Sequence, residues 1–260
     1  CLKSIRKNTE GVSYEVIIAD DNSDDLTADI KKIVKNIRVI KNHGTKGFLP
    51  NCNNAAEHAK GKYILFQNND TQVQENWLKP MADLLAGDEK IGMTGGKLIY
   101  PNGMLQEAGG ILWKDGSAWN YGNQKSPEDP EYNYVREVDY ISGAAIMIRK
   151  SLWDQIGGFD RRFTPAYYED TDLAFQVRER GYKVVYQPKS VVVHFEGISN
   201  GTDVTAGLKA YQVENQKKFF EKWKDVLEKD HFENGQNIFL AKDRSRYKKQ
   251  ILVVDHYVPH

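Results

Sequence analysis

The sequence has few cysteines, no long apolar run and no net charge. Only two of its 260 residues are cysteine, Cys1 and Cys52, which argues against a disulfide framework and suits a reducing, cytoplasmic compartment. Lysine plus arginine and aspartate plus glutamate both number 36, so charge gives no general reason to expect nucleic acid or an anionic membrane as partner. No apolar run approaches the ~20 residues needed to cross a bilayer.

What the chain does have is enough apolar material for a large core. Hydrophobic residues make up 40% of its 260 residues, which is typical of a globular chain that forms one large domain or two small ones. It begins at Cys1 without a methionine and ends on an apolar run at residues 250–255 that is typical of a buried strand. We therefore expect an excerpt from a longer protein.

Three short apolar runs alternate with helical patterns in the first half of the chain. The runs lie at residues 15–19, 37–40 and 62–66, and helical segments at 26–35 and 51–59 separate them. Runs that are apolar along their whole length are typical of strands buried on both faces. The alternation predicts an α/β domain with a Rossmann-like, mostly parallel sheet and helices on both faces.

Acidic and amide side chains follow two of these predicted strands. One cluster occupies residues 20–25 and the other residues 67–71. In open sheets of this type, ligands bind at the carboxyl ends of the strands. Mg²⁺ and Mn²⁺ prefer oxygen ligands, typically one or two carboxylates plus substrate phosphates. The clusters are typical of a site for a nucleotide and a divalent cation, although a turn followed by a helix cap would use the same residue types.

Several ordered blocks of the chain resemble one known family. Residues 16–25 are similar to its nucleotide motif, residues 42–54 to its next block, and residues 65–71 to its metal motif, usually written Asp-x-Asp. The family is the inverting nucleotide-sugar glycosyltransferases of family 2, with the A-type fold, and the resemblance spans residues 1–227. Its members begin with a further strand beneath the donor base, so the resemblance implies that the first strand is missing here.

The resemblance also implies a set of donor and metal residues. The last aspartate of the metal motif is Asp70, which would bind Mn²⁺ or Mg²⁺ together with His194 after a late strand. Without the resemblance, a single histidine at a strand end is by default a structural residue. Asn68 stands where the motif usually has aspartate. The residues implied at the nucleotide and donor sugar are Asp20, Asp21, Lys46, Asn51, Asn68, Asn69 and Gly143.

An acidic segment, residues 167–172, precedes a helical pattern that ends near Gly181. From the residues alone, Asp170 is a helix N-cap and Asp172 an acid of the first helical turn. The resemblance implies a further role, because the family places its general base at the second residue of a Glu-Asp pair, here Asp170 after Glu169. Glu169 would position the acceptor or tune the base.

These roles imply an inverting transferase. It would move a sugar from a UDP, dTDP or GDP donor to a hydroxyl of a glycan or lipid-linked acceptor, in cell-surface polysaccharide or glycan synthesis. Trp119 and Tyr121 could stack on a sugar or simply anchor their loop. Two alternatives stay open: a sugar-1-phosphate nucleotidyltransferase, which the Glu-Asp pair and His194 fit poorly, and a catalytically inactive nucleotide- or carbohydrate-binding module.

The C-terminal part carries an amphipathic pattern and then a less regular stretch. Residues 206–229 predict a helix with an apolar side and many lysines opposite. Such a helix usually packs on its own domain, and a basic one is also compatible with the inner face of a membrane. We expect a transferase domain over residues 1–230, and over 231–260 a linker followed by the start of a second glycosyltransferase domain.

Overall fold

The structure, a computed structural model, describes residues 1–195 and 210–251. The helices of this part are α1 Leu2–Asn8, α2 Ile30–Ile33, α3 Phe48–Ala56, α4 Leu78–Gly87, α5 Lys150–Ile156, α6 Glu169–Glu179, α7 Ala210–Asp230 and α8 Ile238–Ala241. Its strands are β1 Val16–Asp20, β2 Ile37–Lys41, β3 Tyr63–Gln67, β4 Thr71–Val73, β5 Ile91–Ile99, β6 Leu105–Glu107, β7 Gly110–Leu112, β8 Ala118–Asn120, β9 Arg136–Glu137, β10 Ala145–Arg149 and β11 Lys183–His194.

The strands form one seven-stranded mixed sheet and two small two-stranded sheets. The main sheet has the order β3-β10-β5-β11-β4, with β6 added to β5 and β9 to β11, and its only parallel pair is β5–β11 among the described residues. The predicted mostly parallel sheet is therefore wrong. β1 and β2, whose alternation with helices suggested it, pair in parallel in a sheet of their own. An apolar run predicts a buried strand but does not say which strand becomes its neighbour.

Strand direction nevertheless places two important loops at one edge of the main sheet. β3 is antiparallel to β10, β10 is antiparallel to β5, and β5 is parallel to β11. β3 and β11 therefore run the same way, and their carboxyl ends lie at the same edge. The polar cluster after β3 and the last residue of β11, His194, both lie there.

Helices cover both faces of the main sheet, as predicted. Side chains along β10 alternate between two apolar cores. Ile146 and Ile148 pack into one core with Trp153 of α5, and Met147 packs into the other with Met81 of α4. All five side chains are buried. Burial on both faces explains why the strands are apolar along their whole length.

Packing within the domain explains the amphipathic pattern of α7. Phe219, Trp223 and Leu227 are buried, and the ring centroids of Phe219 and Trp223 lie 4.9 Å and 5.3 Å from that of Phe175 on α6. The apolar side that would have met a membrane is therefore covered by the chain itself. Within the described ranges, no helix combines the length and hydropathy of a membrane span. Residues 206–209 of the predicted helix lie outside the described residues.

The stretch expected to be a linker, residues 231–249, packs on the domain instead. His231 is buried, and its Nδ1 lies 2.9 Å from the carbonyl oxygen of Leu112. Arg244 forms an ion pair with the buried Asp139. A free linker has no reason to bury charged groups against its neighbour, so these contacts argue against a free linker in this stretch. The predicted start of a second domain falls on residues 252–260, outside the described residues.

Candidate active site

The loop after β3 and the end of β11 bring Asp70 and His194 together. His194 pairs with Thr71 of β4, and the backbone N–H of Phe195 donates to the carbonyl oxygen of Asp70 at 2.9 Å. His194 Nε2 lies 3.4 Å from Asp70 Oδ1, and the two side chains are only 12% and 11% exposed. The two predicted metal ligands are therefore adjacent, although they are far apart in the sequence.

This pair fits a divalent cation whose coordination is completed by a ligand. One carboxylate and one imidazole suit Mn²⁺ as well as Mg²⁺. No group of three or more His, Cys, Asp or Glu side chains that could hold a metal ion occurs in residues 1–195 and 210–251. Two protein ligands leave the remaining positions to water and substrate phosphate oxygens, as is usual where Mg²⁺ binds with a nucleotide.

The acidic segment enters α6 through two residues with left-handed backbone conformation. Tyr167 and Tyr168 have φ angles of 74° and 70°, which is uncommon for aromatic residues. α6 begins at Glu169 with Tyr168 at the N-cap position. The predicted N-cap role of Asp170 is therefore wrong, and Asp170 lies in the first turn of the helix.

Three hydrogen bonds hold the Asp170 carboxylate in one orientation. Its Oδ2 accepts from the backbone N–H of Gly143 at 2.8 Å. Its Oδ1 accepts from the backbone N–H of Thr171 at 2.6 Å and from Thr171 Oγ1 at 3.2 Å. Burial raises the pKa of Asp170, and these hydrogen bonds oppose the rise because they stabilise the charged form.

Glu169 is buried beside Asp170, and this environment disfavours the charged form of its side chain. Burial, and after it the charge of Asp170, raises the pKa of Glu169 well above the ordinary value. Two adjacent buried carboxylates rarely ionise together. The three hydrogen bonds to Asp170 oppose the effect of its burial, so the charged form is favoured more at Asp170 than at Glu169.

A short turn at residues 142–144 links the acidic segment to the loop after β3. Gly143 donates to Asp170, and the carbonyl oxygen of Ala144 accepts from the backbone N–H of Asn68 at 3.0 Å. The carbonyl oxygen of Asn68 in turn accepts from Thr71 Oγ1 at 2.6 Å. The predicted base and the predicted metal loop are therefore attached to the same turn, while the neighbouring Asn69 is exposed.

Asp21 organises the loop between β2 and α3. Its Oδ2 accepts from the backbone N–H of Gly47 at 2.8 Å and its Oδ1 from Asn42 Nδ2 at 2.6 Å. Both oxygens of this predicted donor residue are thus engaged inside the protein. The buried Asp20 accepts from the backbone N–H of Ser23 at 2.8 Å, and this bond lowers the pKa of Asp20.

The same loop packs against the chain that leads to Asp170. The backbone N–H of Leu49 donates to the carbonyl oxygen of Pro165 at 3.2 Å. A Cβ at Gly47, whose φ is 131°, would lie 2.8 Å from Pro165 Cβ, so the close approach requires glycine. Asn51 on α3 donates from Nδ2 to the carbonyl oxygen of Ala19 at 3.0 Å, which ties this helix to β1. Lys46 in the loop is exposed.

The β7–β8 hairpin flanks the acidic segment on another side. Tyr168 Oη donates to the carbonyl oxygen of Gly116 at 3.0 Å. Trp119 is 41% exposed and packs edge-on against Trp113, with ring centroids 4.9 Å apart. Tyr121 Oη instead donates to a carboxylate at 2.6 Å, as expected of a residue that anchors its loop. Trp119 is the more exposed of the two predicted aromatics.

Sequence reasoning missed Asn215 of α7. Its buried Nδ2 donates to the carbonyl oxygens of Phe163 and Ala166, each at 2.9 Å, and of Tyr167 at 3.1 Å. These carbonyl groups belong to the chain that leads into the acidic segment. They lie 48 to 52 residues before Asn215, so no local pattern could have identified it.

Asp172 is more than an acid of the first helical turn. Its side chain is fully buried, and Lys222 Nζ, Trp223 Nε1 and Gln176 Nε2 each lie 2.7 Å from one of its oxygens. Lys222 and Trp223 belong to α7. Asp172 therefore anchors the start of α6 to α7, a role that its position in the sequence did not reveal.

The chain is similar to two named proteins, one of Myxococcus xanthus and one of Mycobacterium tuberculosis. It is 30% identical over 162 residues to an O-antigen biosynthesis protein, RfbC, of Myxococcus xanthus, covering 59% of this chain and 12% of that protein. It is 25% identical over 224 residues to an N-acetylglucosaminyl-diphospho-decaprenol L-rhamnosyltransferase of Mycobacterium tuberculosis, covering 75% and 71%. This chain thus spans only about an eighth of the Myxococcus protein.

A solved structure has a similar fold. The crystal structure of GalNAc-T7 with UDP, GalNAc and Mn²⁺ superposes with a TM-score of 0.68 at 19% identity. The match covers 88% of this chain and 45% of that one. The expected A-type glycosyltransferase fold is therefore confirmed, with a mixed sheet in place of the mostly parallel one.

The sequence model of one family matches the part of the chain that carries β1 to β10, which includes the turn at residues 142–144. The model is described as glycosyl transferase family 2, and it matches residues 1–156 of 260. The match covers more than half of the chain, and the fold agrees with it. This chain belongs to glycosyl transferase family 2.

Proposed function

We propose that the chain transfers a sugar from a nucleoside-diphosphate donor to an acceptor hydroxyl with inversion at the anomeric carbon, in the synthesis of a cell-surface polysaccharide or other glycan. The observation that carries the proposal is the turn at residues 142–144. Through Gly143 it holds the Asp170 carboxylate, and through Ala144 it holds the loop that presents Asp70 beside His194. A base and a cation site attached to one turn suit a single displacement between them.

Asp170 is the proposed general base. A displacement needs one carboxylate that takes the proton of the acceptor hydroxyl as its oxygen attacks the anomeric carbon. Asp170 is partly buried, and its carboxylate is fixed by Gly143 and Thr171. The raised pKa of Glu169 disfavours a second negative charge beside the base. A single attack opposite the departing diphosphate inverts the sugar.

Asp70 and His194 are the proposed ligands of Mn²⁺ or Mg²⁺. When bound, the cation supplies positive charge that stabilises the departing nucleoside diphosphate. Both ligands are held by backbone hydrogen bonds between β4, β11 and the loop after β3. They therefore need little rearrangement on binding. The structure of GalNAc-T7, which contains UDP and Mn²⁺, is consistent with this chemistry in a similar fold.

The proposed donor contacts lie along the loops after β1, β2 and β3. Lys46 and Asn69 are exposed and available to a diphosphate or a sugar, and Gly143 leaves room for close approach of the donor. Asp20, Asp21, Asn51 and Asn68 act mainly by holding these loops in place, because their contacts are internal. UDP, dTDP and GDP sugars are the proposed donors, and a glycan or lipid-linked acceptor is proposed beside Trp119.

The test begins with a thermal-shift screen of UDP, GDP and dTDP sugars in the presence of Mn²⁺. Donor hydrolysis is then compared between the wild type and Asp170→Asn. We expect the variant to lose about 10²- to 10⁴-fold in rate, the usual contribution of a general base, while Mn²⁺-dependent nucleotide binding is kept. Asp154→Asn is the matched control, since that aspartate is exposed on α5 and pairs only with Lys150 in the described chain. Unchanged hydrolysis by Asp170→Asn would remove the base assignment, and absence of any stabilising donor would count against the proposed function.

A further inference from the structure

Gln106 of β6 lies at the back of the proposed cation site. Its side chain is buried, with 2% of its surface exposed. Gln106 Oε1 lies 3.1 Å from His194 Nδ1, and the other ring nitrogen of His194, Nε2, faces Asp70 at 3.4 Å. The imidazole therefore sits between an amide oxygen on one side and a carboxylate on the other.

A β-bulge in β6 directs the side chain of Gln106 toward His194. Leu98 of β5 pairs with Glu107, and Ile99 pairs with Leu105, so Gln106 is an extra residue in β6 opposite that step. Bulges of this kind redirect a side chain and occur often beside active sites. β6 and β11 lie on opposite sides of β5, about two strand spacings or ~10 Å apart. A side chain as long as glutamine is needed to cross that distance.

The contact favours one of the two neutral tautomers of His194. An amide oxygen only accepts hydrogen bonds, so it favours the tautomer with hydrogen on Nδ1. Nε2 then presents its lone pair toward Asp70, where the cation is proposed to bind. Histidine ligands generally need such a partner on the remote nitrogen, and its loss typically costs 10- to 100-fold in metal affinity.

We propose that Gln106 is a positioning residue that fixes the Nδ1–H tautomer and ring orientation of His194 for cation binding. The inference rests on the metal role of His194 in the proposed function. It acts through His194 alone and needs no contact between Gln106 and the substrate. Glutamine supplies the acceptor without adding a second carboxylate beside Asp70.

The test uses Gln106→Met, which keeps the length of the side chain but removes the acceptor, and Gln106→Glu, which restores one. Free Mn²⁺ is measured by electron paramagnetic resonance during titration in the presence of UDP, and again with GDP. We expect Gln106→Met to bind Mn²⁺ 10- to 100-fold more weakly and Gln106→Glu to bind at least as tightly as the wild type. Gln187→Met is the matched control, a buried glutamine of β11 that bonds to Pro80 and Lys189 instead.

A second measurement works without metal. Long-range ¹H–¹⁵N spectra of ¹⁵N-histidine-labelled protein at pH 8 report the tautomer of His194, assigned by comparison with His194→Gln. We expect Nδ1–H in the wild type and Gln106→Glu, and loss of that preference in Gln106→Met. Mn²⁺ affinity and tautomer that both survive Gln106→Met would overturn the proposal and leave the proposed function intact. If the wild type binds no Mn²⁺ but its His194 tautomer still depends on Gln106, the assignment of His194 as a metal ligand is wrong. The role of Gln106 in positioning His194 is then kept.

Discussion

Replacing Asn215 with leucine is expected to lower both the stability and the turnover of the enzyme. The buried Asn215 amide donates to three carbonyl oxygens of the chain that leads into the acidic segment. That chain ends in Tyr167 and Tyr168, whose left-handed backbone persists only where the surroundings hold it. Leucine keeps the branching at Cγ and removes these hydrogen bonds, together with the one that Asn215 Oδ1 accepts from Lys218 Nζ.

The magnitude follows from the number of bonds lost. At about 0.5–1.5 kcal/mol for each net hydrogen bond, Asn215→Leu should lower the free energy of unfolding by ~2–4 kcal/mol. For a domain of this size, that corresponds to a fall in Tm of ~5–15 °C. Because Asp170 follows the same segment, kcat should fall more than the affinity for the nucleotide.

Thermal unfolding and steady-state kinetics check this expectation. Asn234→Leu is the control, since Asn234 is exposed and its hydrogen bonds go to Ser117 and Asp115, not to the acidic segment. A Tm within 1–2 °C of the wild type corresponds to less than ~1 kcal/mol. That result would refute a stabilising role for the Asn215 hydrogen bonds. A lower Tm with an unchanged kcat would show that Asn215 stabilises the fold without positioning the base.

Two further predictions concern pH. Burial raises the pKa of Asp170, so the acid limb of kcat/KM should lie above the ordinary aspartate value and activity should fall as pH drops through it; a limb at the value of an exposed aspartate would contradict this. The folded-state pKa of Glu169 is also raised, so its contribution to stability is present at low pH and lost as pH rises through that pKa. Glu169→Gln should therefore raise Tm relative to the wild type at alkaline pH and less so in acid, and a difference that does not vary with pH would contradict the assignment.

The elements were predictable where local chemistry determines them. The apolar run at β3 and the polar residues that follow it marked a strand and its loop, and Asp70 was identified from that loop together with the family resemblance. Asp170 was selected by the same resemblance, but its assignment as a helix N-cap was wrong. Tyr167 and Tyr168 have a left-handed backbone, so α6 begins at Glu169. The side chains of these two tyrosines do not indicate that conformation.

Periodicity and strand-end chemistry are local properties, so the amino-acid sequence was enough to predict an α/β chain with polar clusters at strand ends and an acidic segment before a helix. Three features depend on long-range contacts: the main sheet is mixed, Asp172 and Asn215 attach α6 and its approach to α7, and Gln106 lies behind His194. Those contacts join residues about fifty or more positions apart. Their formation depends on which strands and helices become neighbours, which a single pattern along the chain does not encode.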